Sequence, residues 1–393
     1  MSGTLNTYYN NVHFALHLNS EALIRLQEQA ATGSRINRAS DDPSAAHRVL
    51  ELNSQKTSLK DYTDNLLEVT HSLELSSSVI EDISSTLLEA KTHLTQIVSG
   101  VYSDDSRKTT AEGINDLLEH IVSLANTKNA REYLFGGGRS TTAPYSVERK
   151  DGEITRVTYQ GSDENRNIEV APGVRSSALH VGHDIFHADD RGEPIFLGDT
   201  GVTAGTATSN VRGHTWLSVT GTAGNYSLSI DDGVSTFNTD GTDTNLAVTH
   251  SRTGKVMYVD TTQINSAGVA FVRVPGTQDI FDTLITIRDT LRNKRELPDD
   301  QLREALDSAF ISLDETKELM VQAQVSVGLK IGFMGDLQES LETLTYNTED
   351  ETTLLQEADI AQIAIDLSRR EILYEMSLSV AGKLLSLSLF NYI

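Results

Sequence analysis

The sequence predicts an α+β protein in which both chain ends form a long antiparallel α-helical coiled-coil rod with an inserted all-β domain. Two observations lead to this fold class. Apolar residues recur with a seven-residue period over residues 59–97 and again over residues 302–344, which is typical of long helices buried along one seam. Between them, residues 136–277 are rich in Gly, Thr, Ser and Val with alternating apolar positions, which is typical of short strands.

Each heptad stretch defines one seam. The first seam comprises Leu59, Tyr62, Leu66, Val69, Leu73, Ser76, Ile80, Ile83, Leu87, Ala90, Leu94 and Ile97. The second seam comprises Leu302, Leu306, Ala309, Leu313, Thr316, Met320, Ala323, Val327, Lys330, Met334, Leu337, Leu341 and Leu344. A helix of either length is roughly 60 Å long and cannot bury its stripe alone. We therefore expect the two helices to bury each other's seams, which brings both chain ends into one rod.

The remaining helices follow from periodicity and from cap residues. The predicted helices cover about residues 12–31, 43–100, 104–129, 280–291, 302–344 and 354–387. Gly33 ends the first helix, as a glycine just past a helix does, and Pro43 after residues 40–42 is typical of a capped helix start. We expect the chain to break after residues 346–347, and the glycines at 136–138 to form a flexible joint to the β domain.

The β domain is predicted from strand-like stretches separated by turn residues. Strands fit residues 154–159, 226–230 and 256–259. The turn pairs are Asp151-Gly152, Asp232-Gly233 and Asp240-Gly241. Asp-Gly pairs favour tight hairpin turns, because both residues accept a positive φ.

Composition excludes several classes of function. The chain has 393 residues, no cysteine and a formal net charge of −24, so it has no disulfide or thiolate chemistry, and nucleic-acid or anionic-membrane partners are disfavoured. No run of about 18 apolar residues indicates a membrane span. Residues 1–11 lack the features of a cleaved signal peptide, so we expect a cytoplasmic protein or one exported without such a signal.

The charge is unevenly distributed along the chain. Residues 296–360 contain 16 Asp and Glu against 3 Lys and Arg, and residues 61–100 contain 7 against 1. The two ends are nearly neutral. We expect the rod to present an acidic, solvated outer face that includes Glu315 and Glu339, whereas neutral amphipathic ends differ from ordinary solvated termini.

One short stretch has the spacing of a catalytic metal site. His183 and His187 flank Asp184 in the manner of zinc proteases, which need a helix and a Glu base. Asp is one methylene shorter and the surrounding region is β-rich, so a turn is favoured. Residues 240–245 lack the distal Glu of a calcium loop, and residues 136–140 lack the Lys of a phosphate loop. We therefore predict no catalytic residue, metal or cofactor.

Several motifs point to a family. The stretch after the first helix reads Thr32-Gly33-Ser34-Arg35-Ile36-Asn37-Arg38-Ala39-Ser40-Asp41-Asp42-Pro43. It resembles the hallmark loop between the first two helices of the flagellin superfamily. The C-terminal Ala358-Asp359-Ile360-Ala361 resembles the other end of that family. Within the superfamily, the hook–filament junction branch is similar at two stretches, Tyr133-Leu134-Phe135-Gly136-Gly137 and the final Ser386-Leu387-Ser388-Leu389-Phe390-Asn391-Tyr392-Ile393.

The resemblance implies a structural subunit of the bacterial flagellum, exported without a cleaved signal and located outside the cell. Implied partners are copies of itself in a ring, a neighbouring hook-associated protein, flagellin, and an export chaperone at the C-terminal helix. Neither nucleic acid nor membrane is expected as a partner. A junction between hook and filament is favoured. A flagellin filament subunit is the alternative, and a zinc hydrolase carried in the β insertion is a third hypothesis.

The resemblance also implies a domain organisation. Residues 1–42 and 350–393 would be terminal helices of an inner tube, residues 43–135 and 278–349 the helical rod, and residues 136–277 the variable β domain. The predicted assembly residues are Leu16, Leu23, Leu26, Ile36, Asn37, Asp41, Asp42, Ile363, Leu367, Leu378, Leu384, Leu387 and Phe390.

Overall fold

The structure, a computed structural model, describes residues 2–98 and 103–390, without the side chains of residues 2–6, 8, 9 and 384–390. In this part of the chain the helices are α1 (Ser2–Thr32), α2 (Pro43–Val98), α3 (Asp104–Ala125), α4 (Gly182–Phe186), α5 (Ile280–Leu291), α6 (Asp299–Gln356) and α7 (Ile360–Phe390). The strands are β1 (Lys128–Asn129), β2 (Glu132–Tyr133), β3 (Tyr145–Lys150), β4 (Glu153–Tyr159), β5 (Asn167–Ala171), β6 (Val174–Ser177), β7 (Ile195–Leu197), β8 (Thr203–Ala204), β9 (Gly213–Thr222), β10 (Asn225–Ser229), β11 (Phe237–Thr239), β12 (Leu246–Thr249), β13 (Val256–Asp260) and β14 (Gly268–Val274). The predicted fold class is confirmed.

The chain divides into two compact units. The terminal unit comprises Met1–Asp64 with Leu337–Ile393, and the central unit comprises Asn65–Asp336. The β strands all lie in the central unit, together with α3, α4 and α5. The assignment of inner tube, rod and variable domain stays a prediction.

Both predicted seams are recognisable from burial. On α2 every seam position is buried except Tyr62, which is half-buried. On α6 the seam positions are buried except for four. These are Ala323 and Leu337, which are half-buried, and Lys330 and Leu344, which are exposed.

Ion pairs set an antiparallel register between α2 and α6 within each unit. The pairs are Arg48–Glu351 at 2.8 Å and Lys56–Glu349 at 2.6 Å in the terminal unit, and Lys91–Asp314 at 2.5 Å in the central unit. The partner's number on α6 falls as the number on α2 rises, so the helices are antiparallel. Exposed pairs of this kind add little stability, and the buried seams carry the association.

Helix α6 is longer than predicted. The break expected after residues 346–347 is wrong, because α6 continues to Gln356 and the last helix begins only at Ile360. The seam also continues, since Thr348 is buried. The hydroxyls that donate to the carbonyl four residues earlier are those of Thr345, Thr348 and Thr352. Thr side chains in this arrangement are compatible with an unbroken helix.

One further helix boundary differs from the prediction. Helix α3 ends at Ala125 rather than near residue 129, and residues 128–129 instead pair with β2 as a short hairpin. The Asn126 side chain bonds the backbone of Tyr145 in both directions at 3.0 Å, which ties the end of α3 to the first strand of the β region.

Helix α5 packs on α3 through a buried cation. Arg288 is fully buried, and its guanidinium donates to Asn115 Oδ1 at 2.9 Å and to the Ile154 carbonyl at 2.7 Å, and pairs with Asp289 at 2.9 Å. A buried charge is stable only where it is paired in this way. Arg288 therefore joins α5, α3 and β4.

The β region is antiparallel at every described pairing. A five-stranded sheet has the order β11-β10-β9-β14-β7, a three-stranded sheet has the order β12-β13-β8, and β3–β4 and β5–β6 form separate hairpins. Leu217, Leu228 and Val272 from the larger sheet share one core with Val248 and Met257 from the smaller. The two sheets therefore bury a common apolar interior, as in a sandwich.

Candidate assembly surface

The terminal unit pairs the first and last helices of the chain. Helices α1 and α7 pack along each other, and Arg370 Nη1 donates to Asn19 Oδ1 at 3.1 Å. Each helix has 31 residues, which corresponds to roughly 45 Å. Two paired helices can bury only one stripe each, so the apolar residues on their other faces stay in contact with solvent.

The stretches that join α1 to α2 and α6 to α7 lie against each other. We call residues 33–42 and 357–359 the paired connectors. Two backbone hydrogen bonds form an antiparallel β-bridge between Ser34 and Glu357: the Arg35 N–H donates to the Gln356 carbonyl at 2.7 Å, and the Ala358 N–H donates to the Gly33 carbonyl at 3.0 Å. The loop that resembles the family motif therefore fixes two connections at the same time, the one from α1 to α2 and the one from α6 to α7.

Asp41 holds the shape of the first connector. Its carboxylate accepts the N–H of Asn37 at 3.1 Å and that of Arg38 at 2.9 Å. The Asn37 side-chain amide donates to the Ser34 carbonyl at 3.2 Å. An Asp that accepts two amides in this way replaces hydrogen bonds that a loop otherwise lacks.

Asp42 caps helix α2 and confirms the predicted helix start. Its Oδ1 accepts the Ala45 N–H at 3.0 Å and its Oδ2 accepts Arg35 Nη1 at 3.1 Å, and this satisfies one of the free donors at the helix start. Arg35 Nη2 also donates to the Leu355 carbonyl at 3.2 Å. The Ala45 amide first, and then the Arg35 guanidinium, lower the pKa of the Asp42 carboxyl below its usual value.

The predicted assembly residues fall into three groups. Half-buried residues are Leu16, Leu23, Leu26, Ile36, Asn37, Asp41, Asp42 and Leu367. Ile363 is buried and Leu378 is exposed. The side chains of Leu384, Leu387 and Phe390 lie outside the described part of the chain. Among the predicted assembly residues whose side chains the structure describes, Leu378 is therefore the one that is exposed.

The predicted assembly residues leave out further exposed apolar residues of the terminal helices. They are Phe14, Leu18 and Ile24 on α1, and Ile360, Ile365, Ile372, Leu373, Met376 and Val380 on α7. The signal was present in the sequence, because α7 has apolar residues on more than one helical face, and a helix that is apolar all round is a buried helix. An exposed apolar face of this extent is typical of an interaction surface.

The zinc hypothesis for the β insertion does not fit the geometry. The predicted turn is a short helix, α4, and the rings of His183 and His187 stack with centroids 4.6 Å apart. His187 Nε2 lies against the Arg212 guanidinium, and its Nδ1 lies 3.6 Å from Asp279 Oδ2. A cation at the ring nitrogen opposes metal binding there. Among the described residues, no group of three His, Cys, Asp or Glu side chains could hold a metal ion.

A serine and a histidine also lie close together without catalytic geometry. His214 Nε2 is 2.8 Å from Ser312 Oγ, and burial lowers the pKa of His214 to about 3. Ser312 is fully buried and its hydroxyl donates to the Ser308 carbonyl at 3.2 Å. A nucleophile must reach substrate, so this pair is a structural contact between β9 and α6.

The two other motifs considered above are structural. Asp240 accepts the N–H of Thr242 at 3.0 Å and its hydroxyl at 2.6 Å, which is an Asx turn. The predicted hairpin is not formed there, because the flanking strands β11 and β12 belong to different sheets. The predicted flexible joint at residues 136–138 is instead tightly packed. The Gly137 N–H donates to the His180 carbonyl at 3.0 Å, and a Cβ on Gly137 would lie 2.2 Å from the Ser162 carbonyl oxygen. No helix in the described ranges is long and apolar enough to cross a membrane.

Comparison with known proteins finds similarity to flagellar proteins. The profile of the bacterial flagellin N-terminal helical region matches residues 4–138. Flagellar hook-associated protein 3 of Escherichia coli (strain K12) is 29% identical over 170 residues, which are 43% of this chain and 51% of that protein. Flagellin of Listeria monocytogenes serovar 1/2a (strain ATCC BAA-679 / EGD-e) is 26% identical over 208 residues, which are 52% of this chain and 61% of that protein. The chain spans about half the length of the hook-associated relatives it matches.

Solved structures share the fold. Flagellar hook associated protein-3 from Legionella pneumophila has a TM-score of 0.54 at 15% identity and covers 78% of this chain and 98% of its own. A putative flagellar hook-associated protein from Vibrio parahaemolyticus has a TM-score of 0.51 at 13% identity and covers 80% of this chain and 99% of its own. At such identities the similarity concerns the fold alone.

Proposed function

We propose that the chain is a member of the flagellin superfamily, and that it is a structural, non-enzymatic subunit of the bacterial flagellum that joins the hook to the filament. The relatives named hook-associated protein 3 support the junction role. The absence of a metal-binding group and of an accessible catalytic pair among the described residues agrees with a structural role but does not carry it.

The exposed apolar face of the α1–α7 pair carries the proposal. Ile365, Ile372 and Met376 are each about three-fifths exposed. They lie in residues 361–393, which contain as many basic as acidic side chains. A face that is apolar and neutral gains most from being covered by a similar face. We infer that the terminal helices of neighbouring subunits cover it and form the inner tube around the export channel.

The paired connectors have a mechanical role in this proposal. Subunits that pack through α1 and α7 transmit load into α2 and α6 across residues 33–42 and 357–359. The two backbone hydrogen bonds of the β-bridge and the Arg35–Asp42 pair hold these connections at one geometry. Asn37, Asp41 and Asp42 therefore act by positioning the terminal helices rather than by touching a neighbour.

The proposal includes a location and partners. The protein lies outside the cell in the flagellum, after export without a cleaved signal. Its partners are copies of itself in a ring, a neighbouring hook-associated protein on one side and flagellin on the other. An export chaperone covers the C-terminal helix before assembly, because so apolar a helix is otherwise exposed to aggregation.

A filament subunit is the second candidate. The match with Listeria flagellin extends over more of this chain than the match with hook-associated protein 3, 52% against 43%. The number of copies in one flagellum distinguishes a junction protein from a filament subunit. Immuno-labelling of intact flagella with an antibody to residues 136–277 is expected to give one band at the end of the hook. Label along the whole filament would establish the filament role instead.

Substitutions on α7 test the assembly face directly. In a strain lacking this protein, Ile372→Glu or Met376→Glu is expected to reduce attached filaments at least tenfold, because a buried unpaired carboxylate opposes packing. Glu371→Gln on the same exposed helix is the matched control and should restore attachment. Unchanged circular dichroism would show that the variants still fold. Normal attachment with folded Ile372→Glu and Met376→Glu proteins would contradict the proposal.

The C-terminal end offers a second test. Removal of residues 384–393, which include the predicted assembly residues Leu384, Leu387 and Phe390, should leave the central unit folded and the monomer soluble. Attachment of filaments should be abolished, and chaperone affinity should fall because apolar helix anchors are lost. A truncated protein that restores attached filaments would show that this end is not an assembly surface.

A further inference from the structure

Two cavities meet at the single tryptophan of the chain. The first, of about 480 Å³, lies between Trp216 and the end of α5, and the second, of about 500 Å³, lies between Trp216 and the loop after β12. Both are lined by Trp216, Asp232 and Arg295. Each volume falls within the roughly 300–1,000 Å³ of small-molecule sites. We call the two cavities together the Trp216 trough, and all of its residues belong to the central unit.

Arg295 spans the wall that the two cavities share. Its guanidinium carbon lies 4.9 Å from the centre of the Trp216 ring, and its Nη2 pairs with Asp232 Oδ1 at 2.6 Å. A guanidinium that is stacked on an aromatic ring and paired with a carboxylate is held in one orientation. The wall therefore presents an apolar ring, a fixed set of N–H donors and a carboxylate acceptor side by side.

The first cavity contains a buried hydroxyl that has no partner. Thr290 lines this cavity and is 3% exposed, and its Oγ1 makes no hydrogen bond among the described residues. A threonine inside a helix ordinarily donates to the carbonyl four residues earlier, as Thr286 does on the same helix at 2.8 Å. Leaving a buried polar group unpaired is destabilising. The Thr290 hydroxyl therefore indicates a contact that the chain alone does not supply.

The second cavity contains a ring nitrogen that is able only to accept. His214 lines it, and its Nδ1 is buried and unpaired in the part of the chain that the structure describes. Burial lowers the pKa of His214 to about 3, so the ring is neutral at physiological pH. The Ser312 hydroxyl already donates to the Ser308 carbonyl, so the contact with Ser312 Oγ requires the hydrogen on His214 Nε2. Nδ1 is then an acceptor, and only a ligand that carries a donor satisfies it.

The charges around the Trp216 trough cancel. The lining contains three carboxylates and three cations, which are Asp231, Asp232 and Asp289 against Arg252, Lys294 and Arg295. Each carboxylate already accepts hydrogen bonds from serine or arginine donors of the chain, so none is left over for a metal ion. A balanced set of charges favours neither an anion nor a cation as the ligand. The trough therefore fits a neutral ligand with several hydrogen-bonding groups.

We propose that the Trp216 trough binds a neutral oligosaccharide. A sugar ring combines a face of C–H groups, which packs on an aromatic ring, with hydroxyls that both donate and accept. One hydroxyl donates to His214 Nδ1, another pairs with the Thr290 hydroxyl, and a third accepts from Arg295. Because Thr290 and His214 line different cavities, the ligand has at least two sugar units. This inference goes beyond the junction role and does not depend on it.

Trp216 reports directly on such a ligand, because it is the single tryptophan of the chain. The full chain is titrated with cellotetraose, maltotetraose and tetra-N-acetylchitotetraose. At least one of them should change the Trp216 fluorescence saturably, with a midpoint of about 1 mM or below, and glucose should bind at least tenfold more weakly. In ¹⁵N NMR spectra the His214 Nδ1 resonance should move with the same midpoint, since this nitrogen gains a hydrogen bond.

Two threonine variants give a matched comparison. Thr290→Val removes the cavity hydroxyl at nearly constant shape and should weaken binding about fivefold, the effect of one hydrogen bond. Thr283→Val removes a hydroxyl of the same helix that is also buried and unpaired among the described residues but does not line the trough, so it should bind as the wild type does. Both variants should keep the wild-type urea midpoint, because neither loses a hydrogen bond within the chain.

The inference is wrong if none of the three oligosaccharides gives a saturable change, or if Thr290→Val binds no more weakly than Thr283→Val. Tighter binding of a sulfated heparin tetrasaccharide would also overturn it, because the ligand would then be an anion. The junction role is tested separately. The Thr290→Val protein should restore attached filaments in a strain lacking this protein, whereas Ile372→Glu should not.

Discussion

Met320 gives a sharp test of the rod, because it is fully buried at a seam position of α6. Met320→Ala removes three side-chain heavy atoms from a site without solvent contact. Large-to-small changes at such sites reduce the free energy of unfolding by about 2–5 kcal/mol, since lost burial and a cavity add together. Leu313→Ala, at a buried seam position seven residues earlier, should fall in the same range.

The choice of control depends on the structure. Glu318 is exposed on the same helix, so Glu318→Ala should change the free energy of unfolding by less than about 0.5 kcal/mol. Glu315 is unsuitable, although the sequence predicts it as solvated. Its carboxylate accepts Arg273 Nη1 at 2.6 Å and the Gly276 N–H at 3.2 Å. Arg273 is only 7% exposed, so Glu315→Ala should cost about 1–3 kcal/mol by leaving a buried charge unpaired.

Two probes separate the response of the helices from that of the β region. Urea unfolding followed by far-ultraviolet circular dichroism reports the helices. The fluorescence of Trp216, the single tryptophan of the chain, reports the large sheet, where its ring lies 4.7 Å from that of Phe271. Equal effects of Met320→Ala and Glu318→Ala on both probes would refute the assigned heptad phase.

Three further predictions concern local stability. Gly328→Ala should stabilise the monomer by about 0.5–1 kcal/mol in urea unfolding, because the helix gains at an open position, and a loss of stability would show a hidden contact there. The pKa of Asp42 is lowered in the folded protein, so the Asp42 carboxylate stabilises the folded state above its usual pKa of 3.8, and this stabilisation is lost as the pH falls through the folded value. The Ala45 amide resonance should therefore titrate in acid, and it should not titrate in Asp42→Asn. Amide hydrogen exchange in the monomer should be much faster in α1 and α7 than in the α2 seam, since paired terminal helices bury less, and equal protection would contradict this.

The seams could be predicted because their signal is repeated and local. On α2, a helical residue's burial follows from its place in a seven-residue period, and Ser76, the single break in the apolar pattern, is also buried, since its hydroxyl donates to the Ser72 carbonyl at 2.8 Å. On α6, by contrast, the polar seam residue Lys330 is exposed and borders a cavity, so the buried seam is interrupted there. Periodicity therefore predicts which face is buried, and it does not predict which polar residue finds a partner there.

The paired connectors could not be predicted from the sequence beyond their resemblance to a family. Residues 33–42 contact residues about 320 positions further along the chain. No periodicity links such distant segments, and each reads alone as a loop rich in turn residues. The same limit explains the misplaced end of α6. The residues around Asn347 read as a break, but the seam continues through the buried Thr348 and keeps them helical, which is tertiary context overriding local propensity.

The exposed apolar face of the terminal helices and the strong acidity of this chain have opposite effects on the association of copies. A net charge of −24 opposes the association of free copies. When several small contacts form together, the loss of translational freedom is incurred only once. The set of contacts can therefore hold a subunit in place where a single contact is too weak to do so. Under the proposed function, we expect such a subunit to stay monomeric until a growing structure presents all of its neighbours at once. The position of addition is then fixed by geometry rather than by the strength of any single contact.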